Sequence, residues 1–212
     1  MNIGILGSGS VGKTLGKALV GLGHRVSIGT RNPAALDGWK QEVGESALVD
    51  SGERAAAWAD LIVLATVGRA AEEVVLTAGV SNFEGKIVID TTDPLDFSSG
   101  KPGLFVGTTD SLGERIQRLL PGARVVKALN TVAAAVMVDP SLTRGEPDLW
   151  MAGNDAGAKG QVEELLSGFG WKSVVDLGGI ENARWLEALS LLWVVYNHNT
   201  NNWLHAFRLI GK

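Results

Sequence analysis

The chain contains no cysteine. That removes disulfides, thiolate metal sites and thiol nucleophiles together, and it fits a reducing, cytoplasmic setting. Histidine is almost as scarce, with only His24, His198 and His205. None stands at metal-ligand spacing from a carboxylate, so no metal site is read, and no Ser/His/Asp constellation is visible. The net charge of −4, with no basic cluster, argues against nucleic acid or an anionic membrane surface as the main partner. No apolar run approaches the roughly 20 residues that a membrane span needs. The opening Met1-Asn2-Ile3-Gly4-Ile5-Leu6 lacks the basic start of a secretory signal. What is left is 212 residues of ordinary apolar content, enough for one domain with a large core and a small appendage.

Glycine is plentiful, at 28 residues without a repeating period, which points to turns and close backbone contacts. Short apolar runs predict buried strands at Ile3–Leu6, Arg25–Gly29, Ser46–Val49, Leu61–Ala65, Lys86–Asp90 and Arg124–Leu129. Two more are predicted at Asp148–Ala152 and Lys172–Asp176, with a helix around Val162–Leu166 between them. Helical spacing begins at Val11 and stops at Gly23. Asn32-Pro33 reads as an N-cap with proline at the first helical position. Further helices are predicted over Ser51–Ala59 and Ala70–Ala78, and Ser111 with Glu114 forms a capping-box pattern whose helix Pro121 closes. Thr91–Thr109 is an irregular loop long enough to be functional. Glu181–Ile210 reads as helical, interrupted by the polar run Asn197–Asn202. The alternation implies an α/β, Rossmann-type doubly wound parallel sheet over residues 1–178, with a short C-terminal helical cap over residues 179–212.

Gly7-Ser8-Gly9-Ser10-Val11-Gly12 is a GxGxxG pattern that follows the first strand directly and opens the first helix. In that context it predicts dinucleotide binding. Gly7 allows the turn, Gly9 lets the backbone approach a pyrophosphate, and Gly12 lets helix and strand pack closely. The phosphates are expected on the free amides of the helix start. A plain strand-to-helix turn is the other reading. The end of the second strand separates NAD from NADP. Gly29-Thr30-Arg31-Asn32 carries no carboxylate, but offers a hydroxyl and a guanidinium to a 2′-phosphate. A charge-assisted bond of this kind is worth roughly 1.5–3 kcal/mol, or about 10- to 100-fold in preference. The other reading makes Arg31 a solvated surface residue.

Ligands of open α/β sheets bind beyond the carboxyl ends of the strands. Ala65-Thr66-Val67-Gly68-Arg69, Asp90-Thr91-Thr92-Asp93-Pro94 and Ala128-Leu129-Asn130-Thr131 all fall there. These small and hydroxyl residues suit a nicotinamide ring, with Ala65, Thr66, Val67 and Asn130 as contacts, although such residues are also normal in turns, and Asp93-Pro94 reads as a turn former. Asn130 is the candidate that positions the ring; no catalytic acid or base stands out. Hydride transfer between two redox rings asks little proton chemistry of a protein, whereas carbonyl reduction normally needs a donor. Trp185, Leu189, Leu192, Trp193 and Tyr196, then Trp203 and Phe207, recur at helical spacing. They form either an ordinary packed face, the favoured reading, or an aromatic wall for a flat ring or a partner subunit. A homodimer built on this helix is expected.

Four stretches together resemble one family. They are Ile3-Gly4-Ile5-Leu6-Gly7-Ser8-Gly9-Ser10-Val11-Gly12, Gly29-Thr30-Arg31-Asn32, Val126-Lys127-Ala128-Leu129-Asn130-Thr131, and Gly178-Gly179 with Ala183-Arg184-Trp185-Leu186-Glu187. The family is the NADP oxidoreductases dependent on the deazaflavin coenzyme F420, to which the reductase domains of membrane metalloreductases are related. The resemblance implies a Rossmann domain with a helical cap, Thr30 and Arg31 on the 2′-phosphate, and two redox rings meeting between the strand ends and the cap. It implies NADP(H), with coenzyme F420 or a flavin (FMN or FAD) as second redox substrate. Archaeal members carry histidine near the position of Asn130, which can donate and accept hydrogen bonds but cannot become cationic. Two other functions stay open. One is an NADPH-dependent reductase of a small imine or carbonyl, drawing its proton from Lys127, Asp90, Tyr196 or water. The other is an NADPH-sensing protein without catalysis.

Overall fold

Strand alternation builds two cores, one on each face of a central sheet. The computed structural model describes residues 1–211. In β1 (Asn2–Leu6) Ile3 and Ile5 point to one face and Leu6 to the other; in β4 (Leu61–Leu64) and β5 (Ile87–Asp90) the same split separates Leu61, Val63, Ile87 and Ile89 from Ile62, Leu64 and Val88. The first face is covered by α1 (Ser10–Gly21), α2 (Asp37–Val43), α6 (Ala134–Val138) and α7 (Ala156–Gly168). The second is covered by α3 (Gly52–Trp58), α4 (Ala71–Thr77) and α5 (Leu112–Leu119).

With β2 (Arg25–Gly29), β3 (Ala47–Asp50), β8 (Arg124–Ala128), β9 (Leu149–Gly153) and β10 (Val174–Asp176), the strand order is β10-β9-β8-β5-β4-β1-β2-β3. The order reverses between β1 and β4, and a crevice opens there at the strand ends. One pairing departs from the expected parallel sheet: β9 runs antiparallel to β8, with Val126 opposite Gly153. The reason lies in the connection. A parallel neighbour needs a full crossover, usually a helix; between β8 and β9 the chain makes only α6 and a 3₁₀ turn over Pro140–Thr143. From β9 the longer α7 returns to β10 in parallel.

Other local expectations are adjusted as well. The segment 91–109 contains a small hairpin, β6 (Leu95–Asp96) with β7 (Gly103–Leu104). Asn32-Pro33 opens a single 3₁₀ turn with no side-chain cap. Most important, α8 (Ala183–Thr200) ends where Asn201 adopts φ 52°, and residues 201–211 are not helical. A run of Asn and Thr has weak helix propensity, and asparagine tolerates the left-handed cap. The tail folds back instead: Trp193 Nε1 donates to His205 O at 2.9 Å, and Asp148 N donates to Phe207 O at 2.9 Å.

Candidate active site

The glycine loop is shaped by its neighbours. Gly7 has φ 132°, and a Cβ there would stand 2.1 Å from Ala65 O. A Cβ on Gly12 would stand 2.0 Å from Gly7 O, so only glycine lets α1 start this close to β1. Gly9, by contrast, faces open space. The first amides of α1, over Ser10, Val11 and Gly12, have no intrahelical partner, and no acidic side chain occupies that turn. The result is an anion cradle with room above it.

The second strand end closes the cradle on one side. Thr30 Oγ1 donates to Ser8 Oγ at 3.0 Å and accepts from Asn32 N at 3.2 Å, tying the end of β2 to the glycine loop. Arg31 and Asn32 are exposed, and Arg31 enters no ion pair among the described residues. Its guanidinium is available to an anion from solution. Ala65 is buried against Gly7, Thr66 is half-buried and Val67 is 73% exposed. The following Gly68 packs so tightly on the Asp93 carbonyl that a Cβ would meet it at 1.9 Å.

A cavity of about 460 Å³ lies between the cradle, the ends of β5 and β8, and α8. Ser10 and Val11 line it from the cradle, Asn130 from β8, and Ser190 and Trp193 from α8. Asn130 is held firmly. The preceding Leu129 is 2% exposed with φ 66°, a conformation that costs a non-glycine residue of order 1–3 kcal/mol and persists only where surroundings impose it. Asn130 Nδ2 then donates to Asp93 Oδ1 at 2.9 Å and to Leu186 O at 3.1 Å. Both amide protons are used on acceptors, so Oδ1 points the other way. That oxygen is buried and has no partner in the protein, a deficit of about 1–3 kcal/mol.

Under this wall lies a charged cluster. Lys127, with no exposed surface, pairs with Asp90 Oδ2 at 3.0 Å and Glu187 Oε1 at 3.0 Å and also donates to Thr92 O. Burial disfavours its ammonium, but the three carboxylates of Asp90, Glu187 and Asp93 outweigh that and hold its pKa above the ordinary lysine value. Glu187 in turn accepts from Leu112 N at 3.0 Å and Gly113 N at 2.9 Å, capping α5 from α8. In the predicted capping box, Ser111 Oγ accepts from Glu114 N at 3.1 Å, while the Glu114 carboxylate binds Ser111 Oγ and Arg184.

The fold therefore brings Gly7–Gly12, Ala65–Val67 and Asn130 to one edge of the sheet, with Thr30–Asn32 at its outer corner. Of the proton donors considered from sequence, Lys127 and Asp90 are sealed beneath the cavity, and Tyr196 is 48% exposed with its ring edge-on to His205 at 4.6 Å. Sequence reasoning passed over Asp93 and Ser190, which line the cavity and bond at 2.7 Å. It also favoured packing alone for Trp193, which, with Trp203, forms part of the cavity wall. Among the described residues no cluster fit to hold a metal ion is present, and no helix is long and apolar enough to cross a membrane.

The profile of the family described as NADP oxidoreductase, coenzyme F420-dependent, matches residues 2–94. The F420-dependent NADP reductase of Methanothermobacter marburgensis is 30% identical over 209 residues, covering 93% of this chain and 92% of that protein. The chain belongs to the coenzyme F420-dependent NADP oxidoreductase family. It is an NADP-dependent oxidoreductase, and NADP(H) and coenzyme F420 are the cofactors that membership in the family implies. A crystal structure from Arthrobacter sp. FB24, provisionally named an F420-dependent NADP reductase, superimposes with a TM-score of 0.94 at 41% identity, over 99% of both chains. Metalloreductase STEAP3 of Rattus norvegicus is 28% identical over 190 residues, 89% of this chain but only 36% of that protein, so the chain spans about a third of its length. The cradle fits the family's nucleotide: it offers free amides, open space at Gly9 and no carboxylate in the first turn of α1.

Proposed function

We propose that the enzyme exchanges hydride between NADP(H) and coenzyme F420, or a related flavin, bound in the cavity beside Asn130. The observation that carries this reading is the 460 Å³ cavity that continues from the anion cradle, with Asn130, whose buried Oδ1 has no partner in the protein, in its lining. NADPH supplies the hydride from its nicotinamide ring, and the protein's part is to place and shield it. In this reading Gly7, Ser8, Gly9, Ser10, Val11 and Gly12 hold the pyrophosphate. Thr30, Arg31 and Asn32 hold the 2′-phosphate, and Ala65, Thr66 and Val67 line the path to the ring. Asn130 Oδ1 accepts a hydrogen bond from a ring amide or carboxamide N–H and fixes the ring's orientation. Trp193 and Trp203 exclude water from the apolar side.

Residues 1–178 then form the nucleotide domain and 179–212 the cap that completes the acceptor half. We also read the apolar outer face of α8 as a homodimer contact, and the cytoplasm as the working compartment of this cysteine-free chain. A small-imine or carbonyl reductase is the second reading, favoured by the presence of Asp93, an acid, on the cavity wall.

The test is anaerobic NADPH oxidation followed by absorbance, with coenzyme F420, FMN and a cyclic imine in parallel cells. Rapid oxidation with F420 is expected. Turnover with the imine alone would replace the first reading by the second.

A further inference from the structure

The folded chain builds an acid–base group that no local pattern in the sequence announces. Asp93 lines the cavity and is half-buried. Its Oδ1 accepts from Asn130 Nδ2 at 2.9 Å and its Oδ2 from Ser190 Oγ at 2.7 Å. A carboxylate oxygen has two acceptor sites, so each keeps one for a proton or a ligand. The charged groups that act on it are Lys127 on β8 and Glu187 on α8, with Asp90 on β5 paired to the same Lys127. Lys127 already serves both Asp90 and Glu187, so an ionised Asp93 would be a third carboxylate for a single ammonium. On the neighbouring turn Arg69 is engaged at 2.8 Å with Asp96. The remaining partners of Asp93, an amide and a hydroxyl, are neutral.

Reduction of a ring acceptor by NADPH consumes one proton beyond the hydride. We infer that Asp93 is the residue that delivers this proton to the acceptor in the cavity and receives it in the reverse direction. The inference rests on the proposed function. The balance closes: the hydride leaves NADPH, which becomes NADP⁺, and a C–H bond forms on a deazaflavin acceptor, or an N–H bond on a flavin. The Asp93 O–H bond breaks as an N–H bond forms on the same acceptor, and water returns a proton to the carboxylate. The electrostatics agree with the role. Burial first, and Glu187 second, raise the Asp93 carboxyl against the opposing pull of Lys127, Asn130 and Ser190, leaving it pushed up to about 8. Such a group carries its proton at neutral pH and can still release it.

Two measurements test this. The first is a carboxyl ¹³C NMR titration of the ligand-free protein, with the Asp93 resonance identified by its loss in Asp93→Asn. It is expected to show titration well above the ordinary aspartate range, and Ser190→Ala, which removes a donor to the carboxylate, should raise it further. Titration near 4 would overturn the proposal. The second is single-turnover NADPH oxidation with coenzyme F420 from about pH 6 to about pH 10. The wild type should slow as Asp93 ionises, and Asp93→Asn should lose that inflection and about 100-fold in rate while keeping its NADPH affinity, measured by fluorescence. An unchanged pH profile in Asp93→Asn, with a functioning wild type, would refute the proton role alone. A wild type that binds NADPH but reduces neither F420 nor FMN would refute the proposed function, and the proton role with it.

Discussion

At the residue scale, the proposed basis of cofactor choice includes a side chain with no ion pair of its own. Arg31 is exposed and in no ion pair among the described residues, so its removal should leave the fold intact and, on the proposed site, take away one charge-assisted bond to a 2′-phosphate. Arg31→Ala is expected to weaken NADPH binding about tenfold or more, and to leave NADH nearly unchanged, because the bond is worth roughly 1.5–3 kcal/mol. Titration of intrinsic tryptophan fluorescence with each nucleotide reads this directly, and equal losses for both would remove Arg31 from the site. Arg31 is proposed from the sequence because its place after a strand suggests its role. The turn at Gly7 and the close packing at Gly12 were legible from their place between strand and helix. Asp93 was not. Its partners Asn130 and Ser190 are 37 and 97 residues away, and Asp-Pro by itself reads as a turn. Only the closing of the sheet and the docking of α8 give that carboxyl its surroundings.

At the element scale, α8 is fastened to the Rossmann core by charge as much as by packing. Glu187 links three elements, pairing with Lys127 on β8 and capping the amides that open α5. Replacing Lys127 by Met would leave Asp90 and Glu187 buried without a cation. We expect a loss of about 3–5 kcal/mol, the range for breaking a buried pair from one side, measured as the free energy of unfolding in urea. A loss under about 1 kcal/mol would mean that the cluster relaxes or hydrates. The buried strands were plain in the sequence, because a run such as Leu61-Ile62-Val63-Leu64 has no other reading between turns. The direction of β9 was not, since an apolar run carries no sign of parallel or antiparallel pairing. The end of α8 was hidden for a related reason: Trp203 and Phe207 continue the helical spacing, although the chain has turned back at Asn201.

At the scale of the whole molecule, α8 carries apolar side chains on its outer face as well as its inner one. Its inner face, with Leu186, Glu187, Ser190, Trp193 and Asn197, is buried against the core. The opposite stripe holds Trp185 and Leu192, each 54% exposed, and Tyr196, 48% exposed. An amphipathic helix normally gives solvent its polar face, and a contiguous apolar patch of this kind marks an interaction surface. A two-fold pairing of α8 with α8 would cover the stripe with itself. It would also brace the helix whose inner side forms the cavity wall, coupling assembly to the shape of the acceptor site. Leu192 lies mid-stripe, and a two-fold axis uses it twice. With about 1.5–3 kcal/mol for each buried leucine side chain, Leu192→Glu is expected to weaken association by about 100-fold or more. Light scattering across a concentration series reads the assembly state, and NADPH affinity should survive because the cradle lies on α1. A wild type that stays monomeric at high micromolar concentration would leave the stripe to some other partner and end the dimer reading. A dissociated Leu192→Glu that binds NADPH normally but reduces the acceptor slowly would show that the cap needs its twin to hold Trp193 in place.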